Sequence, residues 1–309
     1  MDELISVILS TYNESLYEVK RCITSIIEQS YKEIEVIVIC DNPDNSIVID
    51  YLQSIRDDRI RVYYNQKNRG LVYCLNYGLS LAHGSFIARV DADDYCIGDR
   101  FRKQLNYLNE NKLDLIGSWI KLINENGVVI GDMIFPTSNS DIRSKIKKMS
   151  CIAHPTWFGR KKIFDDIGGY RNIDYCEDYD FLLRIISKGY KVGNIPEYCL
   201  CYQVRKKSIS GGHHAEQMIR TRYLARLSKS ELEDLTTITQ FFNSKRYWRD
   251  VNRFEKYTEH MTYFRQGKVN HIIFAFVNIN LYLAIINRLR LSVLRIKEKK
   301  DYSFTILDN

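Results

Sequence analysis

The sequence predicts an α/β fold built on a doubly wound, mostly parallel sheet. Three observations carry this. Over the first 120 residues, short β-branched runs alternate with segments of helical spacing, the order expected of βαβ units. The runs are apolar enough to be buried strands. Polar and acidic residues gather where the runs end, which is where open α/β sheets bind ligands.

Taken in order, Ile5–Ser10 is a strand, and Tyr17–Glu28 is a helix through Val19, Cys22, Ile23, Ile26 and Ile27. Ile34–Ile39 is a second strand, Ile47–Ile55 a helix, Ile60–Tyr63 a strand, Gly70–Ala82 a helix and Phe86–Val90 the fourth strand. Arg100–Asn109 is helical and Leu113–Gly117 is a fifth strand. Ile120–Ile123 and Val128–Ile130 flank Glu125-Asn126-Gly127, and Asn-Gly between apolar runs signals a hairpin. Beyond it, 139–149 is helical, Pro155–Gly159 a strand, Asp178–Lys188 a helix, and Tyr190–Gly193 and Tyr198–Val204 strands. Residues 206–214 have loop composition. From about 215 the pattern is helical, so the expected division is 1–214 for the α/β domain and 215–309 for a C-terminal helical region.

The chain has 309 residues, 45% of them hydrophobic, enough for one large or two modest cores. The net charge of +7 is local: within 286–300, Arg288, Arg290, Arg295, Lys297, Lys299 and Lys300 stand against Glu298. That points to an anionic membrane surface and away from nucleic acid. Residues 271–286 are apolar but interrupted by Asn278 and Asn280. They suit a helix at a membrane interface or one packed on the α/β domain or a second subunit in a homodimer. No run reaches the ~20 clean apolar residues of a spanning helix. The acidic start, Met1-Asp2-Glu3, is unlike a secretory signal, and the eight cysteines show no framework spacing. The expectation is a cytoplasmic protein with reduced thiols.

The most informative stretch is Phe86–Asp94, where an apolar run ends in Asp91-Ala92-Asp93-Asp94. Hard divalent cations take oxygen ligands, and Mg²⁺ usually combines one or two carboxylates with substrate phosphates. A solvated turn is the bland alternative. An EF-hand is excluded, because its fifth, sixth and twelfth positions would be Tyr95, Cys96 and Arg102. No HExxH or CxxC suggests zinc. The first strand ends in Ser10-Thr11-Tyr12-Asn13-Glu14 without GxGxxG, the second in Cys40-Asp41-Asn42, and Asn68-Arg69-Gly70 opens a helix. Caps and turns explain each of these alone. Together they describe a nucleotide site, with Arg69 reaching a base or phosphate. His213 and His214 follow two glycines and could close over a metal or diphosphate.

These residues resemble family 2 glycosyltransferases of the GT-A fold. The likeness runs through Ser6–Glu14, Asp41, Asn68-Arg69-Gly70-Leu71, Ala82-His83-Gly84 and Asp91–Asp94. It continues at His154-Pro155-Thr156, Gly168-Gly169-Tyr170 and Glu177-Asp178-Tyr179-Asp180, covering roughly 1–210. The resemblance implies transfer of a sugar from a nucleotide diphosphate, usually with inversion and with Mn²⁺ or Mg²⁺. It implies a nucleotide-sugar set of Thr11, Tyr12, Asn13, Glu14, Asp41, Arg69, Asp91, Ala92 and Asp93. Asp93 would hold the metal with Asp94 as a second contact, and the reading of His213 or His214 as a further ligand comes from those residues and not from the resemblance. Asp178 matches the catalytic base and Glu177 would orient the acceptor or diphosphate beside it, while His154, Gly169 and Tyr170 would line the acceptor or sugar wall. Asp178 also reads as an N-cap, and Asp180 with Arg184 as a surface i,i+4 pair.

The Gln-x-x-Arg-Trp motif of processive members is absent, which implies addition of a single sugar. Asp41-Asn42-Pro43-Asp44-Asn45 departs from the commoner Asp-Asp-Gly-Ser at the ribose. The resulting expectation is a UDP-sugar enzyme of capsule, O-antigen or exopolysaccharide synthesis. It would act on a lipid-linked saccharide, peripherally at the inner face of the plasma membrane. A nucleotidyltransferase would want a Gly- and Lys/Arg-rich loop after the first strand, which is missing. An inactive sugar-nucleotide-binding module would have no use for both the aspartate cluster and Asp178.

Overall fold

The computed structural model describes residues 3–205, 213–265 and 304–306. The chain divides into two compact units, Met1–Ser208 with Phe304–Asn309, and Ile209–Ser303. The expected boundary at 214/215 thus becomes 208/209, with the last residues joining the first unit.

In the first unit β1 (Ile5–Thr11), α1 (Leu16–Ile27), β2 (Ile34–Cys40), α2 (Ser46–Ser54), β3 (Ile60–Tyr64), α3 (Leu71–Leu81) and β4 (Phe86–Asp91) follow the βαβ rhythm. β5 (Tyr95–Cys96), α4 (Arg100–Glu110), β6 (Leu115–Ile123), β7 (Val129–Met133), α5 (Asn139–Lys145), β8 (Phe158–Arg160), α6 (Lys161–Asp166), α7 (Glu177–Ser187) and β9 (Val192–Gln203) complete it, and β10 (Phe304–Ile306) adds an edge strand. The sheet order is β10-β7-β6-β8-β4-β1-β2-β3, with β9 pairing β5 and β6. The half made of β3, β2, β1 and β4 is parallel, whereas β8 runs antiparallel between β4 and β6.

Several expected elements differ. The fifth strand and the first arm of the hairpin are one continuous β6, and the two expected strands after residue 190 are one β9, pairing with β6 in parallel across irregular register near Trp119. Pro196 does not break β9, because a proline is tolerated at such a bulge. Pro155 lies in a 3₁₀ turn over His154–Thr156, and β8 starts only at Phe158. Proline lacks the amide a central strand must donate. The two-residue β5 and the short α6 carry no periodic signal.

Capping explains where α1 starts. Ser15 accepts from the Glu18 amide while Glu18 returns a bond to the Ser15 amide, satisfying two otherwise orphaned donors. Every residue of β2 is buried, including Glu35. Ser6 Oγ donates to Glu35 Oε1 at 2.5 Å, the His83 amide donates at 2.6 Å, and Arg61 pairs with Oε2. Burial alone would raise this carboxyl, but the donors hold it below its ordinary value. The Ala82-His83-Gly84 motif therefore closes the amino-terminal edge of the sheet. A Cβ at Gly84 would lie 2.6 Å from the Leu4 carbonyl oxygen.

The second unit consists of α8 (His214–Leu224), α9 (Lys229–Glu233), α10 (Leu235–Phe242) and α11 (Lys245–Arg265). Its core joins Tyr223, Phe241, Phe242 and Tyr247, with Arg220 Nε donating to the Tyr247 hydroxyl at 2.9 Å. No described helix is long and apolar enough to cross a membrane. The expected membrane or interface helix over 271–286 and its basic tail lie outside the described residues, as do 206–212. All eight cysteines are buried and unbridged.

Candidate active site

Parallel pairing aligns three strand ends. Thr11 lies opposite Cys40, and Ser10 opposite Asp91, so residues 11–14, 41 and 91–94 share one edge of the sheet. Nothing in the sequence spacing alone brings these segments together; the register does.

At the end of β1, Glu14 Oε2 accepts from Thr11 Oγ1 at 2.8 Å and from the Tyr12 amide at 2.6 Å, fixing the turn after the strand. Tyr12 is exposed, and Asn13 Oδ1 accepts from Asn42 Nδ2 at 2.9 Å. Asp41 is buried. Its Oδ1 accepts from Asn65 Nδ2 at 2.7 Å and the Arg69 amide at 2.9 Å, and its Oδ2 from the Gly70 amide at 2.9 Å. Asp41 thus shapes the loop before α3. Gly70 has φ +84°, a backbone conformation that favours glycine. The exposed Arg69 guanidinium lies 4.2 Å from the Tyr73 ring centroid.

Asp91, Asp93 and Asp94 offer carboxylate oxygens all within 4.8 Å of one another. Arg89, buried in β4, holds Asp91, its Nη1 donating to Oδ2 at 2.6 Å. Arg205 Nε lies 3.1 Å from Asp93 Oδ2, and its Nη2 2.8 Å from Glu18 Oε1. Burial, then the Asp91 charge, pushes Asp93 up to about 7. Asp94 is fully buried. Its Oδ1 accepts from the Gln203 amide at 2.8 Å, while Oδ2 has no partner. Burial and the two neighbouring aspartates raise it well above the carboxylate range. Clustered, desolvated carboxylates with an orphaned oxygen are costly without a cation. The donor set is all oxygen, so the residues present fit Mn²⁺ or Mg²⁺.

The second carboxylate pair opens α7. Helix α7 begins at Glu177 with Cys176 as N-cap, so the expected capping role of Asp178 is corrected: it sits inside the first turn and accepts from the Tyr179 amide at 2.7 Å. Both carboxyls lie in the field of Arg89 and Asp91, which ties α7 to the β4 cluster. Burial, then the Asp178 charge, pushes Glu177 up to about 8. Burial also raises Asp178, opposed by the Tyr179 amide and Arg89.

His154 and Tyr170 are buried behind these groups. His154 Nε2 and the Tyr170 hydroxyl are 2.8 Å apart, and both rings pack with Trp157. Burial drives His154 well below its ordinary value and Tyr170 upward, so the imidazole is neutral and the phenol protonated. Gly169, at φ +72°, lies so close to Asn76 that a Cβ would meet Oδ1 at 2.5 Å. Asn76 in turn holds both the Tyr170 amide and carbonyl at 2.8 Å.

Asp180 and Arg184 are corrected from a surface pair to a buried clamp. Asp180 is fully buried and paired with Arg171 and Arg184, and the remaining nitrogens of Arg184 donate to the Ile167 and Gly169 carbonyls at 2.8 Å. A helix face turned inward leaves no charge-pattern signature to tell it from one turned outward. His213 Nδ1 lies 2.9 Å from Glu216 Oε1 and the His214 ring packs on Phe254, both in the second unit. Among the described residues, the group able to hold a metal is the three aspartates alone.

Arg89, Arg205, Gln203, Glu18 and Asn76 escape sequence reasoning. Arg89 has a signal: a charge inside an apolar strand needs a buried partner, and Asp91 lies two residues on. The others come from distant segments.

A parallel half-sheet with acidic strand ends, and a buried carboxylate pair in the field of one of them, is suited to an α/β protein that handles a charged ligand at that edge. Residues 6–168 match the family model described as Glycosyl transferase family 2, and the chain belongs to that family: it is a glycosyltransferase. It is 33% identical over 210 residues to the O-antigen biosynthesis glycosyltransferase WbnJ of Escherichia coli, covering 67% of this chain and 82% of that one. It is 28% identical over 222 residues to the UDP-Glc:alpha-D-GlcNAc-diphosphoundecaprenol beta-1,3-glucosyltransferase WfaP of Escherichia coli, covering 69% and 82%. The crystal structure of S. aureus TarS 1-349 in complex with UDP-GlcNAc superposes with a TM-score of 0.55 at 20% identity, over 74% of this chain and 69% of that one. This likeness establishes the GT-A fold.

Proposed function

We propose that the protein is an inverting, nonprocessive glycosyltransferase that moves one sugar from a UDP-sugar to a hydroxyl of a lipid-linked saccharide. The product would belong to O-antigen, capsule or exopolysaccharide synthesis, made peripherally at the inner face of the plasma membrane. The observation that carries this reading is the oxygen-only cluster Asp91–Asp93–Asp94 with its unpartnered Asp94 Oδ2, sharing one field with Glu177 and Asp178. WbnJ supports the O-antigen setting by its name, and WfaP the UDP donor and diphosphoundecaprenol-linked acceptor.

Residues Thr11–Glu14 and the loop held by Asp41 would seat the nucleoside, with Asp91, aligned by Arg89, at the ribose. A divalent cation held by Asp93 and Asp94 would supply positive charge to the leaving diphosphate. Asp178 would take the acceptor hydroxyl's proton as the oxygen forms its bond to the anomeric carbon and the bond to the diphosphate oxygen breaks. A base with a raised pKa suits this better than an ordinary aspartate, because proton affinity near the working pH makes transfer efficient. Glu177 would share that proton with Asp178, since neighbouring buried carboxyls titrate together. His154 and Tyr170, neutral and buried, would support the sugar wall by packing, with Gly169 keeping the chain against α3.

The test is incubation with UDP-glucose, UDP-galactose and UDP-N-acetylhexosamines, with Mn²⁺, Mg²⁺ or chelator, on a polyprenyl-diphosphate saccharide acceptor. One sugar added with inverted anomeric configuration, and only with metal, is the expected result. Extension to a polymer, retention, or full activity in chelator would overturn the corresponding part.

A further inference from the structure

Helix α11 carries two unlike faces. Tyr247 and Val251 are buried, and Phe254 packs near His214, so this side belongs to the helical core. On the opposite side Lys245, Trp248, Arg249, Asn252, Arg253 and Lys256 recur at three- and four-residue steps, and with Asn243 line an open groove of about 540 Å³. Four of these are cations and none is an acid. Asp250 pairs with both Arg249 Nε and Arg253 Nη1 at 3.9 Å, and one partly exposed carboxylate shared between two guanidiniums leaves the face net positive. Trp248 is 46% exposed, whereas Trp157 is fully buried and Trp119 half-buried. The Trp248 ring meets Tyr247 at 5.2 Å between centroids, and the part of the indole left in water beside the cations is apolar area that a partner would cover.

We infer that this face of α11 docks on an anionic lipid surface, with Lys245, Arg249, Arg253 and Lys256 on headgroup phosphates and the Trp248 indole at the headgroup level. Cations concentrated at a membrane are drawn to anionic lipid, and Trp prefers the boundary between apolar and wet regions. A nucleic acid offers the same phosphates. Lipid is favoured because the sequence after α11 turns apolar over 271–286, apart from His271 and its two asparagines, before the basic run 288–300. None of its residues is assigned to the transfer chemistry, so its failure would leave the glycosyltransferase reading standing, and the reverse.

The full chain is titrated with phosphatidylcholine vesicles, with and without phosphatidylglycerol, while sedimentation and tryptophan emission are followed. Partitioning is expected only with phosphatidylglycerol, with a blue shift that disappears in Trp248→Phe and weakens as salt rises. The combined variant Lys245→Gln, Arg249→Gln, Arg253→Gln and Lys256→Gln should lose about 10³-fold in partitioning while keeping wild-type transfer to a soluble acceptor. If that variant does not fold, Arg253→Gln alone should still show a shallower salt dependence than wild type. Unchanged partitioning, equal binding to neutral vesicles, or a Trp248 shift produced by inorganic phosphate or single-stranded DNA but not by vesicles would overturn the inference.

Discussion

Asp178 and Glu177 sit side by side in the first turn of α7, yet their tasks should separate on mutation. Asp178→Asn keeps the acceptor for the Tyr179 amide and removes the proton acceptor proposed for the transfer. Turnover should fall ~10²–10⁴-fold while donor binding stays within a few fold, read by initial rates beside calorimetry. Loss of binding in step with turnover would assign Asp178 to the donor instead. Glu177 makes a prediction about stability. Its folded-state pKa, about 8, lies above the ordinary glutamate value, so the folded state binds this proton more tightly than the unfolded chain does. The stabilisation is complete at low pH and is lost as pH rises from the ordinary value through about 8. Glu177→Gln mimics the protonated form permanently. Its melting temperature should match wild type near pH 4 and exceed it near pH 9, by scanning fluorimetry at matched ionic strength. A gap that is constant with pH would mean that Glu177 is not raised.

The element that aims these groups is α7, and its anchor is the Asp180 clamp. Asp180 fixes Arg171 and Arg184, and Arg184 ties down the Ile167 and Gly169 carbonyls, so one buried carboxylate sets the helix against the glycine turn. Removing one member of a buried ion network strands its partners' charges. Asp180→Ala should therefore cost about 3–5 kcal/mol in urea unfolding, and lower turnover by displacing Asp178. A cost below about 1 kcal/mol would return the pair to the surface role that its i,i+4 spacing suggests. The strand ends illustrate the other side of element-level reading. β1, β2 and β4 stop where their apolar runs stop, so their acidic ends are legible in the amino-acid order itself. The buried inward face of α7 is not.

At the scale of the molecule, the first unit places charge at both edges of one sheet. At the amino-terminal edge Glu35 is satisfied by Ser6, His83 and Arg61. At the carboxyl-terminal edge Asp91, Asp93 and Asp94 crowd together with an oxygen unpaired. The first arrangement holds the fold; the second favours whatever cation can relieve it. UDP with Mn²⁺ should therefore raise the melting temperature well beyond either alone, since a ligand at a hundredfold its Kd adds about 2.7 kcal/mol to stability. Asp93→Ala should fold normally and lose the metal-dependent part of that shift and of UDP binding by calorimetry. An undiminished shift would remove Asp93 from the ligand set.

The parallel core, the βαβ order from β1 through β4, and the presence of the motifs from Thr11 to Asp178 were legible in the sequence itself. Burial on both faces writes continuous apolar runs, and the chemistry of the site falls at the points where those runs break. Only the tertiary structure decided which acids meet. Strand register brings Asp41 and Asp91 to one edge, and the α7 clamp brings Glu177 and Asp178 into the field of Arg89. The joining of β6 and β9 into long strands, and the burial of Asp180, were likewise hidden. Pairing partners and inward faces depend on segments distant in the chain, and local periodicity carries no record of them.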